Sequence, residues 1–176
     1  MKRLVLKGQK VILRAIEVDD AEFLREMINS PEIEKMVIGY SFPVSKDKQL
    51  EWIKNQMNRT DVFRAVIEVE NTAIGEIMLT DIDMKNGNAE IHIKILNNEF
   101  KNKGYGTDSV NTLVSYAFDE LRLNCIHCTV REDNIASNKL FKKCGFSYEG
   151  TLRNRLFKEG NFYSLISYSK TIDYEC

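Results

Sequence analysis

The order of strand-like and helical segments predicts an α/β fold of α+β character: a mixed, mostly antiparallel sheet of about seven strands, flanked by about four helices. Residues 62–96 contain β-rich segments in succession, which is typical of an antiparallel meander. Residues 104–171 then alternate between helical and strand-like patterns. Because helices bury their apolar faces against a sheet, we expect both halves to share one helix-covered sheet.

In the N-terminal half, capping acids and apolar spacing locate the first helices. Asp19 and Asp20 are expected to cap a helix that ends near residue 29. Leu50, Ile53 and Met57 form one stripe of a helix over 45–58. The predicted elements up to residue 96 are a strand at 11–15, these two helices, a helical turn at 32–36 between them, and strands at 62–69, 73–83 and 89–96.

Turn-forming residues separate the later elements. Asn86-Gly87 is a strong hairpin dipeptide because both residues tolerate positive φ, and it is expected to join the second and third strands of the meander. Apolar residues at 110, 113, 114, 117, 118 and 121 give the helix over 104–121 one buried stripe. The remaining predicted elements are a strand at 125–130, a helix at 134–143 that ends at Gly145, and strands at 146–157 and 162–171.

The composition is that of an ordinary globular protein. Of 176 residues, 43% are hydrophobic, and 25 basic residues nearly balance 26 acidic ones, giving a formal net charge of -1. This balance argues against a nucleic-acid-binding surface, and no segment approaches the roughly 20 apolar residues of a membrane span. No Pro/Gly/Ser-rich linker divides the chain, so we expect residues 1–176 to form a single domain. Because no segment is apolar enough to span a membrane, we expect this domain in the cytoplasm.

The spacing of Cys125 and Cys128 raises the question of a zinc or redox site. The segment that contains them is β-rich, and residues three apart on a strand point to opposite faces of the sheet. A zinc site would also need further ligands, and His92 and His127 are the only histidines. We therefore expect reduced, structural cysteines and no metal.

The segment from Lys101 to Thr107 is the candidate anion site. It precedes the helix over 104–121, where backbone N–H groups and the helix dipole favour a phosphate. Gly104 and Gly106 allow close approach, but the dinucleotide pattern would need a glycine at Ser109, and the Walker pattern is absent. From these residues alone, the segment could equally be a turn into a helix.

Two motifs in this order resemble those of the GNAT superfamily of acetyl-CoA-dependent N-acetyltransferases. Residues 101–106 read KNKGYG, similar to the family's Gln/Arg-x-x-Gly-x-Gly/Ala motif with Lys in the first position. Residues 134–146 read NIASNKLFKKCGF, similar to its Asn-x-x-Ala/Ser-x-x-Leu-Tyr-x-x-x-Gly-Phe motif. Residues 149–153 and 160–163 resemble the branch of ribosomal-protein N-terminal acetyltransferases and spermidine acetyltransferases. The resemblance covers about residues 11–168.

The resemblance implies acetyl-CoA as cosubstrate and assigns the residues that bind it. The pantetheine arm would pair with the backbone of Ile93, Lys94 and Ile95. The pyrophosphate would be held by Lys101, Asn102, Lys103, Gly104, Tyr105, Gly106 and Thr107. The other side of the cofactor would be lined by Asn134, Ser137, Asn138 and Phe141. Lys139, Lys142 and Lys143 could meet the 3′-phosphate or simply form a solvated helix face.

Acetyl transfer to an amine needs a base and a proton for the leaving thiolate. Glu90 is the candidate base, because it shares one strand face with His92 and Lys94 beside the phosphate loop, although such a stripe can also be solvent-facing. Asp81 is a candidate for holding a cationic amine. The family's motif tyrosine is Phe141 here, which cannot donate a proton, so Tyr105, Tyr148, Tyr163 or water would have to substitute.

The sequence thus predicts transfer of an acetyl group from acetyl-CoA to a primary amine, such as a polyamine or a protein N-terminus, by direct attack on the thioester. The alternatives are a coenzyme-A-binding sensor that has lost efficient catalysis and a nucleotide-binding protein. The acceptor is expected to contact residues 36–42 and the last hairpin, with Tyr40, Phe42 and Trp52 as aromatic candidates. A homodimer is the expected assembly.

Overall fold

A computed structural model describes residues 5–39, 42–56, 59 and 61–172. The strands are β1 Val5–Lys7, β2 Ile12–Arg14, β3 Phe63–Val69, β4 Thr72–Asp83, β5 Asn88–Ile95, β6 Cys125–Arg131, β7 Ser147–Lys158 and β8 Asn161–Thr171. The helices are α1 Ala21–Asn29, α2 Pro31–Met36, α3 Lys46–Gln56, α4 Tyr105–Asp119 and α5 Ile135–Lys143. Short 3-10 turns occur at Val18–Asp20 and Asn98–Phe100.

The described strands form one mixed sheet in the order β1-β2-β3-β4-β5-β6-β8-β7. Neighbouring strands are antiparallel except β5 and β6, which are parallel. The predicted fold class is confirmed, and each predicted element is present within a few residues of its expected bounds. The sheet has eight described strands instead of about seven, and five helices instead of about four because the turn at Pro31–Met36 is helical.

The turn between the unpredicted strand β1 and β2 is held in place by the first turn of α4. The Asp108 carboxylate accepts hydrogen bonds from the backbone amides of Gln9 (3.1 Å), Lys10 (2.6 Å) and Val11 (3.0 Å). A Cβ on Gly8 would lie 2.4 Å from Asp108 Oδ2, so a side chain there would have to displace this carboxylate. Because three residues are too few to show a period, this strand depends on a contact about 100 positions away along the chain.

The α4 side of the sheet carries the larger core. Val110, Leu113 and Ala117 on α4 are fully buried, which confirms the predicted stripe. A smaller cluster on α1 and α3, including Leu24 and Ile53, packs on its own. Met57 of the predicted α3 stripe lies outside the described residues. The longest helix described has 15 residues, and none of those described combines the length and hydropathy that a membrane span requires.

The hairpin predicted at Asn86-Gly87 is confirmed, since β4 and β5 pair up to Asp83 and Asn88 on either side of it. The turn is longer than two residues: Asp83 Oδ1 accepts the amides of Lys85 and Asn86, and of the dipeptide only Gly87 has positive φ (68°). The two-residue turn with positive φ at both positions is Glu70-Asn71 (50° and 63°).

Asp20 also differs from its expected role, since its side chain makes no cap hydrogen bond to α1. It pairs with the guanidinium of Arg14 through two 2.8 Å hydrogen bonds and accepts the Glu17 amide at 2.8 Å. Burial by itself would raise the pKa of Asp20, but these hydrogen bonds outweigh burial and lower the pKa below its usual value. Asp20 therefore ties the chain before α1 to strand β2.

The feature that positions the site is the divergence of β5 and β6. The two strands pair only at three positions, the last of which is Glu90 with His127. Beyond that point β5 continues beside β4, while β6 continues beside β8. A gap therefore opens in the sheet directly after Glu90.

Candidate active site

A cavity of about 1230 Å³ lies at this gap. Its walls come from residues 90–95 of β5, residues 129–131 of β6, the segment before α4, the start of α5, and α2 with the residues that follow it. The predicted site residues that line it are Glu90, Ile93, Lys94, Ile95, Lys101, Asn102, Gly104, Gly106, Thr107, Asn134, Ser137 and Phe141. The structure thus brings together two sequence motifs that are about 30 residues apart.

The start of α4 presents backbone amides to this cavity. Gly104 is the N-cap residue, with φ of 86° and no side-chain cap. The amides of Tyr105, Gly106 and Thr107 lie in the first helical turn and so have no acceptor within the helix. A Cβ on Gly106 would lie 3.6 Å from side-chain atoms of Ile95 and Leu140, an ordinary contact distance. Positive φ at Gly104 is therefore the special backbone requirement of this turn.

Three predicted cofactor residues do not line the cavity. The Lys103 carbonyl accepts the Lys10 ammonium at 3.0 Å, and the Tyr105 ring packs against Phe100. The Asn138 amide donates to the carbonyls of Arg131 (3.1 Å) and Asn134 (2.9 Å), while its Oδ1 accepts the Tyr168 hydroxyl at 2.8 Å. Because the amide is occupied at both ends, Asn138 fixes the start of α5 to β6 and β8.

The other two motif residues on α5 have distinct surroundings. Asn134 caps the helix, since its Oδ1 accepts the Ser137 amide at 3.1 Å. Phe141 is buried and meets Phe146 edge-to-face, with ring centroids 5.1 Å apart. The cavity wall at residue 141 is therefore a hydrocarbon ring with no proton to donate.

Glu90 lies at the base of the gap. Its Oε1 accepts the Thr129 hydroxyl at 2.9 Å, and its Oε2 is 3.6 Å from His92 Nε2. The pKa of His92 is lowered, mainly by burial and further by Lys94 and Arg64, although the charge of Glu90 opposes the shift. The carboxylate thus faces the cavity beside an imidazole that favours its neutral form.

Asp81, the other acidic candidate, lies outside the cavity lining. It sits where the β4–β5 register shifts, with φ of 50°, and its carboxylate accepts the Thr80 hydroxyl at 3.3 Å.

Arg64 lines the cavity but was not predicted from the sequence, unlike its neighbour Lys94. Arg64 and Lys94 flank the buried Glu76, with N–O distances of 3.1 and 3.8 Å. The Lys94 side chain is therefore engaged on the sheet face, which leaves its backbone for any ligand. A lone glutamate within the apolar run of β4 was the signal that could have revealed this cluster.

The wall on the α2 side is fastened to the last hairpin. The Lys158 ammonium donates to the carbonyls of Glu34 (3.0 Å) and Gly39 (2.8 Å) and pairs with the Glu34 carboxylate. Arg131 donates to the Lys35 carbonyl at 2.5 Å. As a result, residues 36–39 line the cavity, as expected for part of the acceptor segment.

Of the aromatic acceptor candidates, Phe42 and Trp52 do not form part of this wall. Tyr40 lies outside the described residues. Phe42 is largely exposed, and Trp52 stacks under the Arg64 guanidinium at 5.3 Å, but neither lines the cavity.

The described cysteines are free thiols. Cys128 and Cys144 are buried and Cys125 is half-buried, and burial raises the pKa of all three. Within the described residues, no group of three or more His, Cys, Asp or Glu side chains could hold a metal ion.

Comparison with known proteins identifies the family. The model of the acetyltransferase (GNAT) domain matches residues 10–147, which is most of the chain. The chain belongs to the GNAT acetyltransferase family. The resemblance seen in the two motifs is thereby confirmed, and with it the enzyme class, an N-acetyltransferase that uses acetyl-CoA.

Similar GNAT proteins include two from Bacillus subtilis (strain 168). The uncharacterized prophage-derived N-acetyltransferase YokL is 27% identical over 164 residues, 93% of this chain and 91% of YokL. YdaF, provisionally named a ribosomal N-acetyltransferase, is 30% identical over 168 residues, 92% of this chain and 91% of YdaF. Among solved structures, the spermidine N-acetyltransferase from Vibrio cholerae in complex with CoA and spermine superposes with a TM-score of 0.86 at 25% identity, covering 93% of this chain and 96% of that one.

Proposed function

We propose that the protein transfers the acetyl group of acetyl-CoA to a primary amine at the gap between β5 and β6, with Glu90 as the base. One observation carries this proposal. The gap places the Glu90 carboxylate in the same cavity as the uncapped amides of α4. A base and an anion site in one cleft are what an amine acetyltransferase needs.

Residues of this chain fit acetyl-CoA along the cavity. Past Glu90, the β6-facing backbone of Ile93, Lys94 and Ile95 has no strand partner in the described sheet, so it can pair with the amides of the pantetheine arm. The amides of Gly106 and Thr107, which line the cavity, can hold the pyrophosphate at the helix N-terminus. When bound, acetyl-CoA supplies the thioester that the amine attacks.

The proposed chemistry assigns a proton to each side of the reaction. Glu90 takes the proton that the amine must lose, directly or through a water. Phe141 cannot protonate the leaving sulfur, and Tyr105, Tyr148 and Tyr163 do not line the cavity. We therefore assign that proton to water. Water suffices because a coenzyme A thiolate is a moderately good leaving group.

The acceptor is proposed to be a polyamine or a protein N-terminus. The GNAT relatives named for spermidine and for ribosomal substrates support these classes. The test follows release of free thiol from acetyl-CoA with spermidine, amino sugars, amino acids and N-terminal peptides. Turnover with at least one amine is expected. Binding of acetyl-CoA with no turnover would favour the alternative, a coenzyme-A-binding sensor that the phenylalanine at 141 makes plausible.

We propose further that the chain acts as one catalytic domain, as a homodimer, in the cytoplasm. All described strands share one sheet, which supports one domain. Strand β7 is an edge strand, and Phe157 and Phe162 on the last hairpin are exposed, which favours a covering partner. Free thiols fit a reducing compartment. Light scattering is expected to give twice the 20.4 kDa chain mass; a monomer would refute the dimer.

A further inference from the structure

Thr129 makes a contact across the gap that the proposed chemistry has not yet used. It lies on β6 two residues beyond His127, the last residue of that strand to pair with β5. Its hydroxyl is 2.9 Å from Glu90 Oε1. A carboxylate can only accept, so the hydroxyl donates. This side-chain bond joins the two strands where their backbone pairing ends.

The hydrogen bond makes the two oxygens of Glu90 unequal. Oε1 accepts the Thr129 hydroxyl, whereas His92 Nε2 lies 3.6 Å from Oε2, beyond hydrogen-bond range. His92 Nε2 instead lies within hydrogen-bond distance, 3.0 Å, of the Thr80 hydroxyl oxygen. Among the described residues, Thr129 therefore engages Glu90 through Oε1 and leaves Oε2 available to a ligand in the cavity.

We propose that Thr129 is a positioning residue that orients Glu90, so that Oε2 faces the cavity and receives the proton of the acceptor amine. This proposal rests on the proposed function, in which Glu90 is the base.

Other groups near this carboxylate would have to stay unchanged in the test. These are His92 on its own strand and, on β6, Cys128 and the backbone-paired His127, while Lys94, Arg64 and Asp81 act on His92. A change of residue 129 between uncharged side chains leaves all of these groups in place. A change in kcat therefore reports the lost hydrogen bond.

The test compares Thr129→Val, which removes the hydroxyl at similar size, with Thr129→Ser, which keeps it. For Thr129→Val, kcat is expected to fall about tenfold, as for one hydrogen bond to a charged group, while KM for the amine changes little. Thr129→Ser is expected to restore kcat, and Kd for acetyl-CoA is expected to stay constant in both variants. Thr151→Val, which removes an exposed hydroxyl outside the cavity, is the control and is expected to match wild type.

An unchanged kcat in Thr129→Val, or a serine variant as impaired as the valine variant, would overturn the positioning role. If no amine is turned over by the wild-type enzyme, the proposed function fails, and the contact is judged by carbon NMR of the Glu90 carboxyl at a single pH. Its chemical shift is expected to change in Thr129→Val and to return in Thr129→Ser. The same chemical shift in all three proteins would reject the Thr129 contact independently of any activity.

Discussion

At the scale of single residues, Glu90 is the group on which the proposed chemistry depends. Replacing it by Gln keeps the side-chain volume but removes the base, so kcat is expected to fall by about 10²–10⁴-fold. Acetyl-CoA binding is expected to change little, because the proposed cofactor contacts lie on β5 beyond residue 90 and at α4. Thiol release and calorimetric titration measure the two effects.

Asp81→Asn is the matched control for this experiment. It removes an acid of the neighbouring strand that lies outside the cavity lining, so kcat/KM is expected to stay within about twofold of wild type. A loss in Asp81→Asn comparable to that in Glu90→Gln would show that the acceptor is held by Asp81 after all.

Phe141 is the second residue that tests the chemistry. Phe141→Tyr places a hydroxyl on a ring that lines the cavity. If proton delivery to the sulfur limits turnover, the variant is expected to raise kcat and to reduce the solvent deuterium isotope effect. An unchanged kcat together with an unchanged isotope effect would contradict proton delivery by water as the slow step.

Asp20 gives a prediction about stability and pH. The pKa of Asp20 is lower in the folded protein than in the unfolded chain. Its contribution to the free energy of unfolding is therefore fully present above the unfolded pKa near 3.9 and is lost as the pH falls through the pKa of the folded state. Asp20→Asn is expected to cost about 1.5–3 kcal/mol at pH 7, the usual range for hydrogen bonds to a charged group, and less at pH 2. Urea unfolding at both pH values measures this. Equal losses at pH 7 and pH 2 would contradict an ionic role.

Glu22→Gln is the control for Asp20→Asn. Glu22 also pairs with an arginine, Arg25, but on the exposed surface of α1, where solvent screens the pair. Its replacement is expected to leave the unfolding free energy unchanged within error at either pH.

At the scale of elements, the turn into α4 couples backbone shape to cofactor binding. Gly104→Ala forces a side chain into φ of 86°, which is expected to cost about 1–2 kcal/mol of stability and to weaken acetyl-CoA binding by displacing the amides of α4. Gly150→Ala, where a Cβ would meet nothing within 4 Å, is the control and is expected to change neither quantity measurably. Tight binding by Gly104→Ala would remove this turn from the cofactor site.

The elements also show what the sequence could and could not predict. Helix α4 was predictable because its apolar stripe is a local pattern in the sequence. The turn at Gly104 was predictable because the glycines that form it lie close together in the sequence. Strand β1 was not, because Asp108 holds the turn that follows it from about 100 residues away. The position of Asp81 outside the cavity lining was not predictable either, because a bulge in β4 shifts the strand register there. The Thr129 contact needs the parallel pairing of β5 and β6, which no local pattern specifies.

At the scale of the whole molecule, ligand binding should stabilise the described sheet at its gap. Acetyl-CoA at 100 times its Kd is expected to raise the free energy of unfolding by about 2.7 kcal/mol. For a chain of this size, that corresponds to a rise in Tm of about 5–11 °C. The shift is expected because β5, α4 and α5 all line the cavity, so bound acetyl-CoA would contact all three elements at once. ATP is the control, since a nucleotide-binding protein would give a shift that acetyl-CoA cannot compete away. A shift in Tm with ATP and none with acetyl-CoA would reject the cofactor assignment. A shift in Tm with acetyl-CoA and none with ATP would support it.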